Sequence, residues 1–332
     1  PAFNQADMER VKALTVESIK RSHNNPQAVA FNILKPALYG QEHAYGFPNS
    51  GTQASVMAIT TDDLESFHQA WIRPDNAKIF VAGDTDLTQI TAQLEKSFGS
   101  WKKPTTVKGT KSFKDVPLGT KTKVILVDRA KSPQSMIIAG HLMPSSGSEN
   151  YLEVETMNGI LGGTFTARMN MNLREDKGWA YGAYTGIMNA RGQRVWYNYA
   201  PVQTDKTAAA MKEVIGEINH YRSDKPATQA ELDLFVKSKT LTLPGRFEKA
   251  NAVLGHMMTN DNLGRAQKSA ETLKGKYDNM TPKMMADLAK SAFNPDAMVW
   301  VVIGDLSKIE ANVRALNLGD VEVWDETGHK LR

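Results

Sequence analysis

Residues Phe293-Asn294-Pro295-Asp296-Ala297-Met298-Val299-Trp300-Val301-Val302-Ile303-Gly304-Asp305-Leu306 read as a helix end, a proline turn, an apolar strand and a Gly-Asp turn into a further helix. The residue before a proline resists helical dihedrals, so the preceding helix stops there. A short run of Val, Trp and Ile between turn residues marks a strand. The same order occurs earlier: Arg73-Pro74-Asp75-Asn76, an apolar run from Lys78 to Ala82, then Gly83-Asp84 and a helix over Leu87 to Phe98. Pro295 follows Pro74, and Gly304-Asp305 follows Gly83-Asp84, by the same 221 residues. The repeat therefore pairs Leu64 to Gly99 with Met284 to Gly319. Upstream it continues more loosely, Val11-Lys12 against Val236-Lys237 and Leu38-Tyr39-Gly40 against Asn262-Leu263-Gly264. It predicts an α+β fold of two homologous units, each a largely antiparallel sheet with helices on one face.

Working outward, Phe3 to Ser22 and Pro26 to Leu38 read as helices, the second opening on a favourable first-turn proline. Tyr39 to Ser55 reads as a loop. Asp62, with Glu65 at capping-box spacing, predicts the next helix start. Strands are expected at Lys123–Val127, Gln134–His141 and Arg194–Ala200. Helices are expected near Asn150–Leu161, Lys206–Tyr221, Thr228–Leu243, Phe247–Met258 and Gly264–Tyr277, with another starting at Thr281-Pro282. Residues from about 120 to 225 supply the second copy with a strand-bearing front half, and the first copy has no counterpart. The expected division is the rear half of a truncated first domain at 1–99, a basic linker at 100–120 and a complete second domain at 121–332. An incomplete unit of this kind leaves a sheet face or edge uncovered.

The chain has 332 residues and a net charge of +4. Lys102, Lys103, Lys108, Lys111, Lys114, Lys121 and Lys123 stand against Asp115 alone between Ser100 and Lys123, so this stretch exceeds the whole chain's net charge and the remainder is slightly acidic. A basic balance of that origin describes a solvated linker, and no nucleic-acid motif accompanies it. Cysteine is absent, which removes disulfides, thiolate metal sites and cysteine nucleophiles. No apolar run approaches the ~20 residues of a membrane-spanning helix.

The stretch that carries chemistry is Leu173-Arg174-Glu175-Asp176-Lys177-Gly178-Trp179-Ala180-Tyr181, preceded by Leu161-Gly162-Gly163-Thr164-Phe165-Thr166-Ala167-Arg168-Met169. An Arg leaving a helix and a Tyr entering a strand can place a guanidinium and a phenol at one cavity wall. Such a pair suits a peptide carbonyl or a developing oxyanion. Plainer readings stand beside it: Arg174 as a cation at a helix C-terminus, Tyr181 as a core aromatic, Glu175 and Asp176 as partners of the Arg or as solvated turn residues. No two of the seven histidines lie three to five residues apart, so there is no helical zinc pair. Neither a Gly-x-Ser-x-Gly elbow nor a phosphate-binding glycine motif is present.

These residues, with Tyr39-Gly40, Gly51-Thr52, Ile59-Thr60, Asp63-Leu64, Phe67-His68, Pro74, Asn76 and Gly83-Asp84, resemble the pitrilysin/insulinase family of zinc metallopeptidases, over essentially the whole chain. The resemblance implies two mitochondrial-processing-peptidase-like α/β units, the first incomplete. It also implies a working enzyme of two halves closed around a peptide chamber. One half carries an inverted zinc motif, H-x-x-E-H, and a further Glu; the other supplies an Arg and a Tyr, here Arg174 and Tyr181. This chain has no H-x-x-E-H, and the position of the family's downstream Glu falls near Ser18 and Glu17, neither of which is read as a ligand. The implied function is the noncatalytic half of a zinc endopeptidase, inactive alone and binding no cofactor itself, with zinc on the partner half. The alternative is a structural or peptide-binding scaffold of the same fold. The expected partners are a catalytic half, on the same polypeptide or a separate subunit, and a peptide substrate. The bacterial periplasm is the expected compartment.

Overall fold

The computed structural model describes residues 1–332. The first 120 residues hold five helices and no strand: α1 Gln5–Ser22, α2 Pro26–Tyr39, α3 Gln53–Ala58, α4 Thr61–Trp71 and α5 Leu87–Phe98. Local chemistry sets most of their starts. Asn25 Oδ1 accepts from the amides of Gln27 and Ala28 at 2.9 and 3.2 Å, and Pro26 occupies the first turn of α2. Helix α4 is entered through a capping box of Thr60 and Asp63, two residues before the expected Asp62–Glu65 pair. The apolar run Lys78–Ala82, expected as a strand, forms no backbone ladder and joins no sheet, its one polar tie being the Lys78–Asp261 ion pair at 2.6 Å.

From residue 123 the chain alternates β1 Lys123–Asp128, β2 Gln134–Met143, α6 Tyr151–Asn158, α7 Arg168–Asn170, β3 Tyr184–Ile187 and β4 Arg194–Gln203. Then come α8 Thr207–Arg222, α9 Gln229–Thr240, α10 Leu243–Arg246, α11 Ala250–Leu263, α12 Ser269–Asp278 and α13 Pro282–Ala292. The chain closes with β5 Val299–Gly304, α14 Leu306–Arg314 and β6 Asp320–Trp324. Gly264 does not open a helix as expected. It ends α11 in the left-handed region at φ 71°, a conformation that glycine adopts without a Cβ penalty.

The six strands form one sheet in the order β3-β4-β2-β5-β1-β6, with three antiparallel pairings followed by two parallel ones. The architecture is thus α+β with a mostly antiparallel sheet. On one face, α6, α8, α13 and α14 enclose the main core, in which Trp196, Trp300 and Met211 are fully buried. The opposite face is covered from the first segment. Val29, Ile33 and Leu34 of α2 pack on Ile125, Ile138, Val301 and Ile303. Gly140 makes this approach possible, because a Cβ there would lie 3.1 Å from Leu34 Cδ2 and 2.8 Å from the Trp196 carbonyl oxygen. Each fully buried aliphatic side chain contributes about 1.5–3 kcal/mol, so α2 is held firmly to the sheet.

The lysine-rich segment after α5 is exposed but tethered. Arg73, 1% exposed, ion-pairs with Asp75 and donates to the carbonyls of Thr106 and Pro104. Farther on, Gln193, in the turn between β3 and β4, exchanges two hydrogen bonds with the backbone of Val116 at 2.8 and 3.0 Å.

Candidate functional site

The segment carrying Arg174 and Tyr181 is built on close backbone approach. After α6 the helix widens into a π-turn, Gly159–Gly163. A Cβ at Gly162 would lie 2.7 Å from the Thr185 amide nitrogen of β3, so the turn seats against the strand only with glycine there. Two asparagines lock the neighbouring chain in place. Asn158 Oδ1 accepts from the Trp196 indole at 2.7 Å. Asn170 Oδ1 accepts from the Ala183 amide and its Nδ2 donates to the Phe165 carbonyl, at 3.1 and 2.7 Å. A second π-helical turn, Met171–Asp176, is pinned inward by the fully buried Leu173 and carries Arg174 on its last turn. Gly178, at φ 66°, reverses the chain, and Ala180 bridges to Val202 so that Tyr181 leaves from the sheet edge.

The structure brings the two predicted residues together. The Arg174 guanidinium carbon lies 5.2 Å from the centre of the Tyr181 ring and 4.6 Å from that of Phe165, so it sits against two aromatic rings. Such contacts are worth about 0.5–1 kcal/mol each at exposed sites. Glu175 pairs with Arg174 Nε at 3.1 Å. Tyr181 is 86% exposed, which rules out the core-aromatic reading. Arg174 does lie in the last turn of its helical segment, so its charge also faces the negative end of that segment.

Arg168, six residues earlier, was not singled out by the sequence and is used quite differently. Its Nε and Nη2 each meet a Glu231 carboxylate oxygen at 2.6 Å, and the remaining N–H groups donate to the Lys225 and Pro226 carbonyls. The guanidinium also lies over the Tyr221 ring. Glu231 in turn caps α9 through Thr228. Burial opposes ionisation of Glu231, but the hydrogen bonds from Arg168 and Thr228 outweigh it and hold the carboxyl below its ordinary range. Arg168 is therefore a structural clasp. Arg174 makes one ion pair and two ring contacts and makes no hydrogen bond that would hold its terminal nitrogens.

Tyr181 projects into solvent beside the part-exposed Arg174, and neither of the two main depressions includes the pair. A cleft of about 140 Å³ lies next to Phe165, lined by Ile160, Thr164, Thr166, Ala167, Leu234 and Phe235 among others, and includes neither Arg174 nor Tyr181. The larger depression, about 740 Å³, is bounded by Asn219, Arg222, Ser223, Asp224 and Lys290 and is likewise formed without them.

The chain belongs to the peptidase M16 family: the model of the peptidase M16 inactive domain matches residues 58–238. It is similar to a zinc protease of Bacillus subtilis, 28% identical over 183 residues, which cover 55% of this chain and 43% of that protein. A zinc protease of Mycobacterium leprae is 24% identical over 292 residues, covering 87% of this chain and 64% of the relative. The chain thus spans less than two thirds of the length of either. In fold it matches the crystal structure of a peptidase M16 inactive domain from Pseudomonas fluorescens, with a TM-score of 0.83 and 21% identity over 92% of this chain and 71% of that one.

The relatives are named zinc proteases, yet the residues here do not fit a zinc ion: no three His, Cys, Asp or Glu side chains converge anywhere in the chain. Several histidines have other roles. His43 meets the Lys114 carbonyl, His141 is buried against Trp196, His220 pairs with Asp224, and His256 contacts Asn260. Glu17 and Ser18 are exposed on α1. No helix is long and apolar enough to cross a membrane.

Proposed function

We propose that this chain is the noncatalytic half of a zinc-dependent endopeptidase, which closes a peptide chamber and presents Arg174 and Tyr181 to the substrate. The observation that carries this reading is the contrast between two arginines of one motif. Arg168 is fully engaged, while Arg174 is held by two rings and Glu175 with its outer nitrogens open, next to an exposed phenol. A guanidinium fork and an O–H donor side by side match the acceptor geometry of a carbonyl oxygen whose negative charge grows during peptide cleavage. Zinc, which polarises the carbonyl and activates water, belongs on this reading to a catalytic half with its own donor set. What this chain does is bind and orient the carbonyl, and the approach of the catalytic half would turn an open surface into a chamber wall.

The experiment is a peptidase assay of the chain alone, of the catalytic half, and of the two assembled. The chain alone is expected to be inactive. In the assembled enzyme, Tyr181→Phe and Arg174→Lys should each lower kcat about 10²–10³-fold, as loss of an oxyanion donor does. Assembly, followed by size-exclusion chromatography, should be unchanged. Full turnover by both variants would remove Arg174 and Tyr181 from the reaction and leave a scaffold.

A further inference from the structure

The turn that carries Arg174 is tied to a helix 41 residues farther along the chain. Met211, Val214 and Ile218 of α8 are fully buried, so this helix is fixed to the main core. Toward the turn it presents Glu213 and Glu217, one helical turn apart. Asn172 Nδ2 donates to Glu213 Oε2 at 2.9 Å and to Glu217 Oε1 at 2.7 Å. Lys177 Nζ meets the other Glu213 oxygen at 3.5 Å. Glu213 thus holds the chain two residues before Arg174 and three residues after it. The main chain closes over the same span, since the Lys177 amide donates to the Asn172 carbonyl at 3.0 Å.

Carboxylates one turn apart on a helix repel each other. Here they converge on one amide instead. A carboxylate can only accept, so the Asn172 nitrogen has to face them, and both of its N–H groups are used. The Asn172 side-chain oxygen is left buried without a partner, a cost that a freely moving surface residue would shed by turning to water. Leu173 anchors the turn in the core, and the α8 carboxylates hold it on either side of Arg174. The arginine depends on that support. Its own side chain is kept only by two ring contacts and Glu175, and such contacts are weak at an exposed site. Where the guanidinium stands is therefore set by where the turn sits. We infer that Asn172, Glu213 and Glu217 are positioning residues for Arg174: they fix the turn 172–177 on α8 so that the guanidinium stays against Tyr181, and they themselves do not touch the substrate. Their effect on turnover rests on Arg174 and Tyr181 binding the substrate carbonyl as proposed above, whereas the hold on the turn can be measured without substrate.

Asn172→Asp keeps the shape of the side chain and sets a third carboxylate against the first two. In the 1–332 chain the rings of Phe165 and Tyr181 should displace the Arg174 δ-methylene protons upfield in the NMR spectrum. Asn172→Asp should abolish this displacement and leave the buried Trp196 and Trp300 indole signals in place. Adding Glu213→Gln and Glu217→Gln supplies donors to the new carboxylate and inverts the polarity of the bonds, so the triple variant should recover it. Glu213→Ala, which adds no charge, should also lose the displacement and serves as the second variant if Asn172→Asp does not fold. In the assembled enzyme Asn172→Asp should lower kcat about 10²-fold with little change in KM, as misplacement of a binding group by about 1 Å does. In an Arg174→Ala background it should have no further effect. An undisturbed Arg174 signal in Asn172→Asp and Glu213→Ala would overturn the inference. So would a loss that the inverted bonds fail to relieve, or an equal fall in kcat without Arg174. Loss of the displacement with full turnover would uphold the hold on the turn and count against Arg174 acting on the substrate.

Discussion

The segments α4–α5 and α13–α14 share a sequence pattern, yet only the second lies on a sheet. In the second, Trp300 is fully buried and its neighbours across the sheet are Val124 and Ala139. In the first, Ile79 at the matching position is more than half exposed. A helix-strand-helix pattern specifies which residues want burial. The burial itself, and the ladder that turns an extended run into a strand, have to come from chain far away in sequence.

The largest effect expected from this contrast is at that matched pair. Trp300→Ala should cost about 3–5 kcal/mol of stability in chemical denaturation of the 1–332 chain, by losing transfer energy and leaving a cavity. Ile79→Ala should stay within about 0.5 kcal/mol in the same assay. Equal losses would mean that the first segment is packed in solution and that the two regions do not differ.

A proton titration should report on the second region alone. His141 is buried between Trp196 and Phe293, and burial, reinforced by the Arg222 charge, lowers its pKa from 6.5 to about 4 despite a hydrogen bond to the Leu142 carbonyl. Between these two values the unfolded chain binds the proton and the folded chain does not, so stability falls as pH falls. The loss should reach about 3 kcal/mol by pH 4 and be absent above pH 7. Comparing denaturation curves of wild type and His141→Phe across this range isolates the contribution. A parallel pH dependence in the two proteins would place the titrating group elsewhere.

The smallest effect concerns helix entry. Thr281 accepts from the Met284 amide at the start of α13, and Thr60 does the same for Asp63 at α4. Thr281→Ala should cost about 1 kcal/mol, because α13 unfolds with the core. Thr60→Ala should fray α4 and reduce helical circular dichroism while moving the global midpoint little. A midpoint shift of the same size in both variants would show that α4 unfolds cooperatively with the sheet.

Much of this was legible from local chemistry. Pro26, Thr281-Pro282 and the Pro-to-Gly-Asp spacing act within a few residues, so these helix starts and the repeat could be read directly. The closeness of Arg174 and Tyr181 comes from the tight reversal at Gly178 between them. Some features had weak local signals. The short helix α3 arose inside an expected loop through the Thr52–Ser55 capping box, and the edge strand β6 came after the last expected helix. No local signal marked Arg168 as a residue that would be consumed, since Glu231 lies 63 residues away.

The amino-acid order alone determined where many of the helices begin and which side chains are apolar enough to seek a core. Tertiary structure decided the rest: that 299–304 is a strand while 78–82 is not, that α2 crosses to the far face of the sheet, and that one arginine is locked while its neighbour stays open. The physical reason is range. Caps and turns are satisfied by atoms a few bonds away, whereas ladders, burial and ion pairs depend on partners that only folding brings within contact.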